Sequence, residues 1–213
     1  MKLITKFLSL NDEKRNRILN AAINEFAQKG YENASTNEIV KGANISKGLL
    51  FHYFKNKNDL YFFLYEHFVE VLMDEFFDEM DLDETDVFTR LKNVMMLKSQ
   101  LMKKYPDIFN FIMAAQMETS SEVKSELIQK NNDLVIKNSA QLFENIDISK
   151  FKDGLDVQKA MNIIMWTLEG FGNQVLEKVK RANNTDVDFT EEFVEIDSYL
   201  EILKKSFYRE GLM

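Results

Sequence analysis

The chain has 213 residues, 45% hydrophobic and 29% charged, which is enough apolar sequence to bury the cores of a small domain and a larger one. It has no cysteine, so a disulfide scaffold and a cysteine-based metal site or nucleophile are excluded, and a reducing cytoplasm is the expected location. One proline, seven glycines and very little alternation of apolar and polar residues predict an all-α fold of about nine helices.

The net charge of −8 is unevenly distributed along the chain. Residues 1–60 carry ten lysines and arginines against six acidic residues, a net of +4, whereas the remaining residues carry 17 against 29, a net of −12. A basic N-terminal end suits binding to phosphates, and an acidic remainder stays away from them. Taken by itself, the local excess of positive charge is also within ordinary variation.

Neither of the most apolar segments has the features of a membrane segment. The first ten residues, MKLITKFLSL, place Lys6 inside their apolar run and lack a small-residue cleavage site, so they make a poor signal peptide. The later stretch LYFFLYEHFVEVLM contains Glu66 and Glu70 and is too short to cross a bilayer. We therefore expect no membrane partner.

The first predicted helix lies within residues 11–34, where apolar side chains recur at helical spacing up to Gly30, which is placed to end the helix. The segment 35–57, STNEIVKGANISKGLLFHYFKNK, then predicts two short helices joined by a tight turn. Ser35 or Thr36 is expected to cap the first of them and Ser46 the second. Asn44 stands at the turn, because asparagine tolerates positive φ better than most residues.

The second short helix has one buried and one outward face. Leu50 and Phe54 lie four residues apart, as burial on one side of a helix requires. The opposite face is expected to present Lys47, Gly48, Leu49, His52 and Tyr53. Two turns of helix are not stable alone, so the neighbouring helices must hold this one. A helix that faces outward from three supporting helices is the arrangement by which helix-turn-helix domains place one helix in the major groove of DNA. The sequence therefore favours a DNA-binding unit.

Residues 12–60 resemble the N-terminal domain of the TetR family of bacterial transcriptional regulators. The resemblance rests on ILNAAINEFAQKGYENAST and on EIVKGANISKGLLFHYFKNKNDL. The family's usual turn, Ala-Gly-Val-Ser-Lys-Gly, is here Ala-Asn-Ile-Ser-Lys-Gly at 43–48. Its usual Tyr-Tyr-His-Phe run is here Phe-His-Tyr-Phe at 51–54, so Phe51 lacks a hydroxyl that in relatives often reaches a phosphate.

This resemblance implies a set of DNA-binding residues. We expect phosphate contacts from Ser35, Thr36, Tyr53 and Lys57, and an approach to base edges by Asn37, Lys47, Gly48, Leu49 and His52. Ser46 and Phe51 complete the set. The DNA-binding domain is assigned to residues 1–60, and an effector-binding and dimerisation domain to residues 61–213.

The rest of the chain predicts helices only. A long helix from about Asn56 to Met80 is expected to link the two domains, and further helices are expected over Glu84–Tyr105, Pro106–Glu118, Ser121–Asn145, Asp156–Ala182 and Glu191–Arg209. The last two carry apolar stripes, the first with Val157, Ala160, Met161, Ile164, Leu168, Phe171, Val175 and Val179, the second with Phe193, Ile196, Leu200, Leu203 and Phe207. With Gly170 and Gly172 permitting close approach, they suggest a homodimer built as a four-helix bundle. The alternative is that both stripes face the chain's own core.

Phenylalanine and methionine are frequent in the middle helices, where the resemblance implies a small-molecule effector site. The candidate ligand-binding residues are Phe68, Phe109, Met113, Met117 and Trp166. The alternative is that these side chains only fill a core. Glu118 and Glu169 are the acidic residues proposed to lie near such a pocket, where they would favour a cationic ligand.

No catalytic or metal-binding motif is present in the sequence. Neither His52 nor His67 belongs to a Glu-x-x-His pair, and there is no phosphate-binding glycine loop, serine nucleophile elbow or HExxH. We expect no enzymatic activity, no metal and no cofactor. The predicted function is a dimeric regulator, in the simplest case a repressor, that binds a palindromic operator and is released by a hydrophobic effector. The alternative is a helical ligand-binding or adaptor protein that lacks specific DNA binding.

Overall fold

The computed structural model describes residues 2–182 and 188–210, without the side chains of residues 2, 3, 133–141, 180 and 182. These residues form ten α-helices and one short 3-10 helix, and they include no strand, which confirms the predicted all-α class. The helices are α1 Lys2–Leu8, α2 Asp12–Asn33, α3 Thr36–Gly42, α4 Lys47–Tyr53, α5 Lys57–Glu79, α6 Val87–Lys104, α7 Pro106–Gln116, α8 Lys124–Leu142, α9 Val157–Ala182 and α10 Thr190–Phe207.

The helices predicted from apolar spacing all exist, with ends within a few residues of the expected ones. Pro106 occupies the first turn of α7, where its missing N–H costs no hydrogen bond. Gly30 has φ 68° and ψ 174° and interrupts α2 close to its predicted end. Helix α1 was not predicted, because seven residues are too few to establish a helical period.

The chain packs as two compact units. The first consists of Met1–Glu75 with Tyr105–Asn132, and the second of Phe76–Lys104 with Asp133–Met213. The first unit therefore contains α7 as well as the short N-terminal helices. The division after residue 60 concerns function rather than packing, and it stays a prediction.

An aromatic core holds the first unit together. The ring of Phe26 on α2 lies 4.9 Å from that of Tyr61 on α5, and Tyr61 lies 5.6 Å from Phe111 on α7, both pairs edge to face. All three rings are buried. Such pairs each stabilise a core by about 0.5–1.5 kcal/mol beyond the burial of their surface. The core therefore joins the start of the DNA-binding segment to α7.

The core of the second unit is formed by α6, α9, α10 and the segment after α8. Its buried members are Val87, Phe88, Leu91, Phe151, Ala160, Ile164, Leu200 and Tyr208. Arg90 is buried beside this core, and its guanidinium donates to the carbonyl oxygens of Leu82, Leu142 and Glu144 at 2.6–3.1 Å. It thereby ties the loop before α6 to the end of α8.

Much of the predicted dimer stripes is buried within the single chain. Ala160, Ile164 and Val179 on α9 are buried, and so are Ile196 and Leu200 on α10. For these residues the alternative stated from the sequence, that the stripes face the chain's own core, is therefore correct. An apolar stripe at helical spacing commonly packs a helix against the core of its own chain. Other apolar residues of the same helices are exposed, namely Ile163, Trp166, Val194, Tyr199 and Ile202.

In the part of the chain that the structure describes, none of the helices combines the length and apolarity that crossing a bilayer requires.

Candidate DNA-binding surface and its support

The turn between α3 and α4 has the backbone that the sequence predicts. Asn44 has φ 52°, in the left-handed region. The turn is closed by the N–H of Asn44 donating to the oxygen of Lys41 at 3.2 Å and by the N–H of Ile45 donating to the oxygen of Val40 at 3.0 Å. Ala43 is completely buried, so α3 and α4 approach closely beside it.

Of the two predicted helix caps, one is correct. Ser46 precedes α4, and its hydroxyl oxygen accepts the N–H of Leu49 at 3.2 Å. Ser35 does precede α3, but its side chain makes no capping bond, so that detail was wrong. Instead the N–H of Ser35 donates to Oε1 of Glu25 on α2 at 2.9 Å. The start of α3 is therefore fixed by a carboxylate of the preceding helix.

Helix α4 presents a polar face and buries the opposite one. Leu50 and the following Phe54 are buried, as predicted, whereas Lys47, Gly48 and His52 are exposed. A Cβ atom added to Gly48 would meet no atom within 4 Å. The remaining predicted DNA-binding residues of this face and of α3 are exposed at Asn37 and Ser46 and half-buried at Ser35, Thr36, Leu49 and Phe51.

Tyr53 and Lys57 do not project outward as expected. Tyr53 is only 8% exposed, and its ring packs edge to face on Phe7 at 5.6 Å. The ammonium of Lys57 donates to the carbonyl oxygens of Glu32 at 3.1 Å and Ala34 at 3.3 Å. The prediction that the ring of Tyr53 faces outward was therefore wrong, because α1 covers it. Phosphate binding by either residue stays a prediction.

The end of α2 is held by the segment after α7. A carboxylate oxygen of Glu118 accepts the N–H of Tyr31 at 2.6 Å, and the Tyr31 hydroxyl donates to Oε1 of Glu122 at 2.6 Å. Burial and the bond to Glu122 raise the pKa of Tyr31, so its hydroxyl stays a donor across the physiological range. The ammonium of Lys57 lies 4.6 Å above the same ring.

This arrangement depends on Gly30. Its φ of 68° with ψ of 174° falls in a region open essentially only to glycine. A Cβ at this position would also lie 3.3 Å from Oε2 of Glu118. We call Tyr31, Lys57, Glu118 and Glu122 the Tyr31 latch. It connects the α7–α8 turn to α2 and to the first residue of α5.

The latch changes the interpretation of the two acidic residues singled out from the sequence. The oxygens of Glu118 accept the N–H groups of Tyr31, Thr119 and Ser120, at 2.6–2.9 Å. Glu169 on α9 is exposed. Neither carboxylate is therefore buried and unpaired, which is the state that would favour a cationic ligand.

Four of the five candidate ligand residues lie in the first unit. Phe68 on α5 is buried, while Phe109, Met113 and Met117 on and beside α7 are half-buried. Trp166 belongs to the second unit and is 66% exposed. An open cleft of about 500 Å³ beside α4 is lined by other residues, among them Ile4, Phe62 and Lys130. In the described ranges no three histidine or acidic side chains are grouped as a metal site would require.

Sequence reasoning missed Phe7, which is completely buried against α4 and α5. Its signal in the sequence is the apolar run of residues 1–10, which is too short to establish a helical period. The latch was missed as well. The two hydrogen bonds of the latch join residues that are 87 and 91 positions apart in the sequence, and no local sequence pattern predicts such a contact.

Comparisons with known proteins agree with this geometry. Residues 18–62 match the family described as bacterial regulatory proteins, tetR family. A fatty acid metabolism regulator protein of Bacillus subtilis is 27% identical over 158 residues, which covers 72% of this chain and 78% of that protein.

Solved structures share the fold over nearly the whole chain. A TetR family transcriptional regulator from Chloroflexus aurantiacus has a TM-score of 0.59 at 22% identity and covers 97% of this chain and 98% of its own. The transcriptional regulator FadR from Bacillus subtilis, in complex with stearoyl-CoA, has a TM-score of 0.61 at 21% identity, with 88% and 96% covered. At these identities the likeness establishes the fold.

Proposed function

We infer that this chain, whose residues 18–62 belong to the TetR family of bacterial regulatory proteins, is a DNA-binding transcriptional regulator. The observation that carries the proposal is the exposed face of α4, with Lys47, Gly48 and His52 outward over a buried Leu50. Helix α4 is the recognition helix of this proposal, and its face lies in the major groove. The excess of basic residues in positions 1–60 adds a sequence-independent attraction to phosphates.

Each outward residue has a chemical role in this proposal. The ammonium of Lys47 donates to acceptor atoms of guanine, and His52 donates or accepts on a neighbouring base edge. Gly48 lets the backbone of α4 approach the DNA, because no side chain stands between them. Asn37, Ser46 and Leu49 extend the contact along the groove. Lys47 is positioned for this by Ser46, whose capping bond fixes the first turn of α4.

We propose that the active form is a homodimer joined through α9 and α10. Ile163, Trp166 and Gly170 lie three and four residues apart and therefore share one face of α9. Trp166 is 66% and Ile202 on α10 is 61% exposed, which leaves large apolar side chains in water in the single chain. Exposed apolar patches of this kind mark association surfaces. A dimer also doubles the length of DNA that is read, which one short helix needs for useful specificity.

A hydrophobic effector is proposed to control DNA binding from α7. Two of the comparisons concern fatty acids: the Bacillus subtilis relative is named as a regulator of fatty acid metabolism, and the Bacillus subtilis regulator structure holds stearoyl-CoA. Both support a fatty acyl effector here. Phe109, Met113 and Met117 are half-buried side chains of the flexible and aromatic kinds that adapt to an acyl chain. The effector must bind the two conformations with different affinity, since otherwise it shifts no equilibrium.

The Tyr31 latch is the proposed route from the effector to DNA. Helix α7 ends at Gln116, two residues before Glu118, which binds the N–H of Tyr31. Lys57 couples the ring of Tyr31 to the start of α5, and α5 follows the recognition helix. A displacement of the end of α7 therefore changes the support of α4 without any direct contact between effector and α4. In the simplest case the change separates two recognition helices and releases a repressor.

The test of DNA binding begins with selection of duplexes from a random library by the full-length protein. Lys47→Ala should bind the selected duplex roughly tenfold more weakly than wild type and lose its preference at one base position. Lys103→Ala removes the same charge from an exposed position on α6 in the second unit, outside the proposed dimer helices, and should stay within about twofold of wild type. If the wild-type protein binds the selected duplex and its scrambled counterpart equally, the proposed function is wrong.

The effector is tested separately by adding stearoyl-CoA to the preformed protein–duplex complex. We expect release of the duplex by stearoyl-CoA and none by coenzyme A at the same concentration, because the acyl chain supplies the apolar contact. Retention of the duplex at saturating stearoyl-CoA would exclude this effector class. That result would leave DNA binding as proposed.

A further inference from the structure

Helix α1 lies outside the residues that match the family and has not been assigned a role. The match begins at residue 18, whereas α1 covers Lys2–Leu8. A helix of two turns is not stable by itself in water, so α1 must be held by the rest of the protein. Its central contact is Phe7, whose side chain is completely buried.

Phe7 packs on three aromatic rings at the junction of α4 and α5. Its ring centroid lies 5.6 Å from that of Tyr53, 5.0 Å from that of Phe54 and 5.4 Å from that of Phe63, all in edge-to-face geometry. Tyr53 is the last residue of α4, Phe54 ends that helix, and Phe63 lies on α5. Phe54 and Phe63 also contact each other at 5.2 Å. One side chain of α1 thus contacts both helices where they meet.

A second contact fixes α1 from α2. The guanidinium of Arg15 donates to the carbonyl oxygen of Leu8 at 2.9 Å and to that of Leu10 at 3.3 Å. These carbonyls belong to the end of α1 and to the following turn, where a helix leaves its acceptors without internal partners. Arg15 is itself held by Asp12 at 2.7 Å. Helix α1 is therefore anchored at its C-terminal end as well as through Phe7.

We propose that Phe7 is a positioning residue for the recognition helix and that α1 is an integral part of the DNA-reading unit. The proposal rests on the proposed function, because it concerns the orientation of α4 on DNA. Helix α4 has seven residues, and its N-terminal end is set by the turn from α3. Its C-terminal end is set by the rings that Phe7 contacts. Without Phe7, α4 keeps its helical form but tilts, and its base-reading residues lose their register.

A role in positioning α4 and a role in core stability predict different results for two buried phenylalanines. Phe151 offers a matched comparison, because its side chain is also fully buried and its ring packs edge to face on Tyr208 in the second unit. This ring partner does not belong to α4. Phe7→Ala and Phe151→Ala should therefore lower the unfolding midpoint to a similar extent, since each removes one fully buried ring. They should differ in their effect on DNA sequence discrimination.

The experiment measures, for each full-length variant, the ratio of the dissociation constants for a scrambled duplex and for the duplex that wild type selects from a random library. This ratio does not depend on the fraction of active protein, so partial unfolding does not distort it. Phe7→Ala should lower the ratio roughly tenfold, the loss expected when one or two base contacts are misplaced. Phe7→Leu fills much of the site and should recover most of the ratio. Phe151→Ala and the surface variant Leu8→Ala should keep it.

Each other outcome overturns the proposal. If Phe7→Ala keeps the wild-type ratio, α1 does not position α4. If Phe151→Ala lowers the ratio as much, the effect is general destabilisation. If Phe7→Ala weakens both duplexes equally, α1 contributes only to non-specific binding. A wild-type protein that selects no duplex contradicts the proposed function itself, which distinguishes the two failures.

Discussion

Replacement of Gly48 by alanine is predicted to stabilise the free protein while weakening its binding to operator DNA. Gly48 lies in the first turn of α4, it has no positive φ, and a Cβ there would meet no atom within 4 Å. The substitution therefore adds no strain in the free protein. It removes conformational freedom from the unfolded chain, which is worth about 0.4–1 kcal/mol for a compatible glycine.

The expected gain in stability is at the lower end of that range, because Gly48 lies in the first turn of a short helix and helix ends fray. A gain of about 0.5 kcal/mol should raise the unfolding midpoint by roughly 1–2 °C for a chain of this length. On the operator the sign reverses. If the backbone of α4 approaches the DNA at Gly48, the added methyl group overpacks the interface at a cost of about 1–2 kcal/mol, or roughly tenfold in affinity.

The two effects are measured by thermal unfolding and by fluorescence anisotropy with a labelled selected duplex. Gln100→Ala is the control, because this exposed residue lies on α6 of the second unit, outside α4 and outside the proposed dimer helices. It should change the unfolding midpoint little and keep operator binding within about twofold of wild type. An unchanged or tighter operator complex for Gly48→Ala would refute the close approach of the backbone at this residue.

Three further predictions address the support, the dimer and pH. Gly30→Ala should destabilise the protein by about 2–4 kcal/mol in urea unfolding, because it combines a glycine-only conformation with a methyl group 3.3 Å from Oε2 of Glu118. Ile202→Asp should shift the protein from dimer to monomer in analytical ultracentrifugation and weaken operator binding, with little change in secondary structure because Ile202 is exposed. Burial lowers the pKa of His67, so the folded state disfavours its protonation. Stability should therefore fall as pH drops below about 6.5, and His67→Gln should reduce this dependence.

Each of these predictions has a contrary result. A Gly30→Ala protein as stable as wild type would show that the end of α2 relaxes freely. A dimeric Ile202→Asp protein would place the association surface elsewhere. An identical fall in stability between pH 7.5 and 5.5 for wild type and His67→Gln would show that other groups govern it. His67 is half-buried, and its ring is stacked on that of Phe63 with 5.5 Å between the ring centroids.

The sequence predicted those parts of the DNA-binding surface that depend on local rules. The positive φ of Asn44, the cap at Ser46 and the burial of Leu50 and Phe54 follow from turn chemistry and helical spacing, and all four are confirmed. These features are set by residues within a few positions of one another. Local preference and the final structure agree there, as they do in sequences that fold to one state.

The features that were missed depend on contacts between distant segments. Tyr53 lies at the edge of the α4 face, and its burial is decided by Phe7, which is 46 residues away in a helix too short to predict. The apolar stripes of α9 and α10 were correctly found, but periodicity does not say whether a stripe meets its own chain or a second copy. Both helices carry apolar residues on more than one face, so only the structure distinguishes the exposed apolar residues from the buried ones.

Footprinting on the selected duplex tests the central claim most directly, because it measures at once whether the protein reads DNA and whether it does so as a symmetric pair. With wild-type protein we predict two protected segments of equal length, related by two-fold symmetry and separated by about one helical turn or a multiple of it, weakening steeply as salt rises. Uniform protection along the duplex, or none, would contradict the claim that paired α4 helices bind two half-sites.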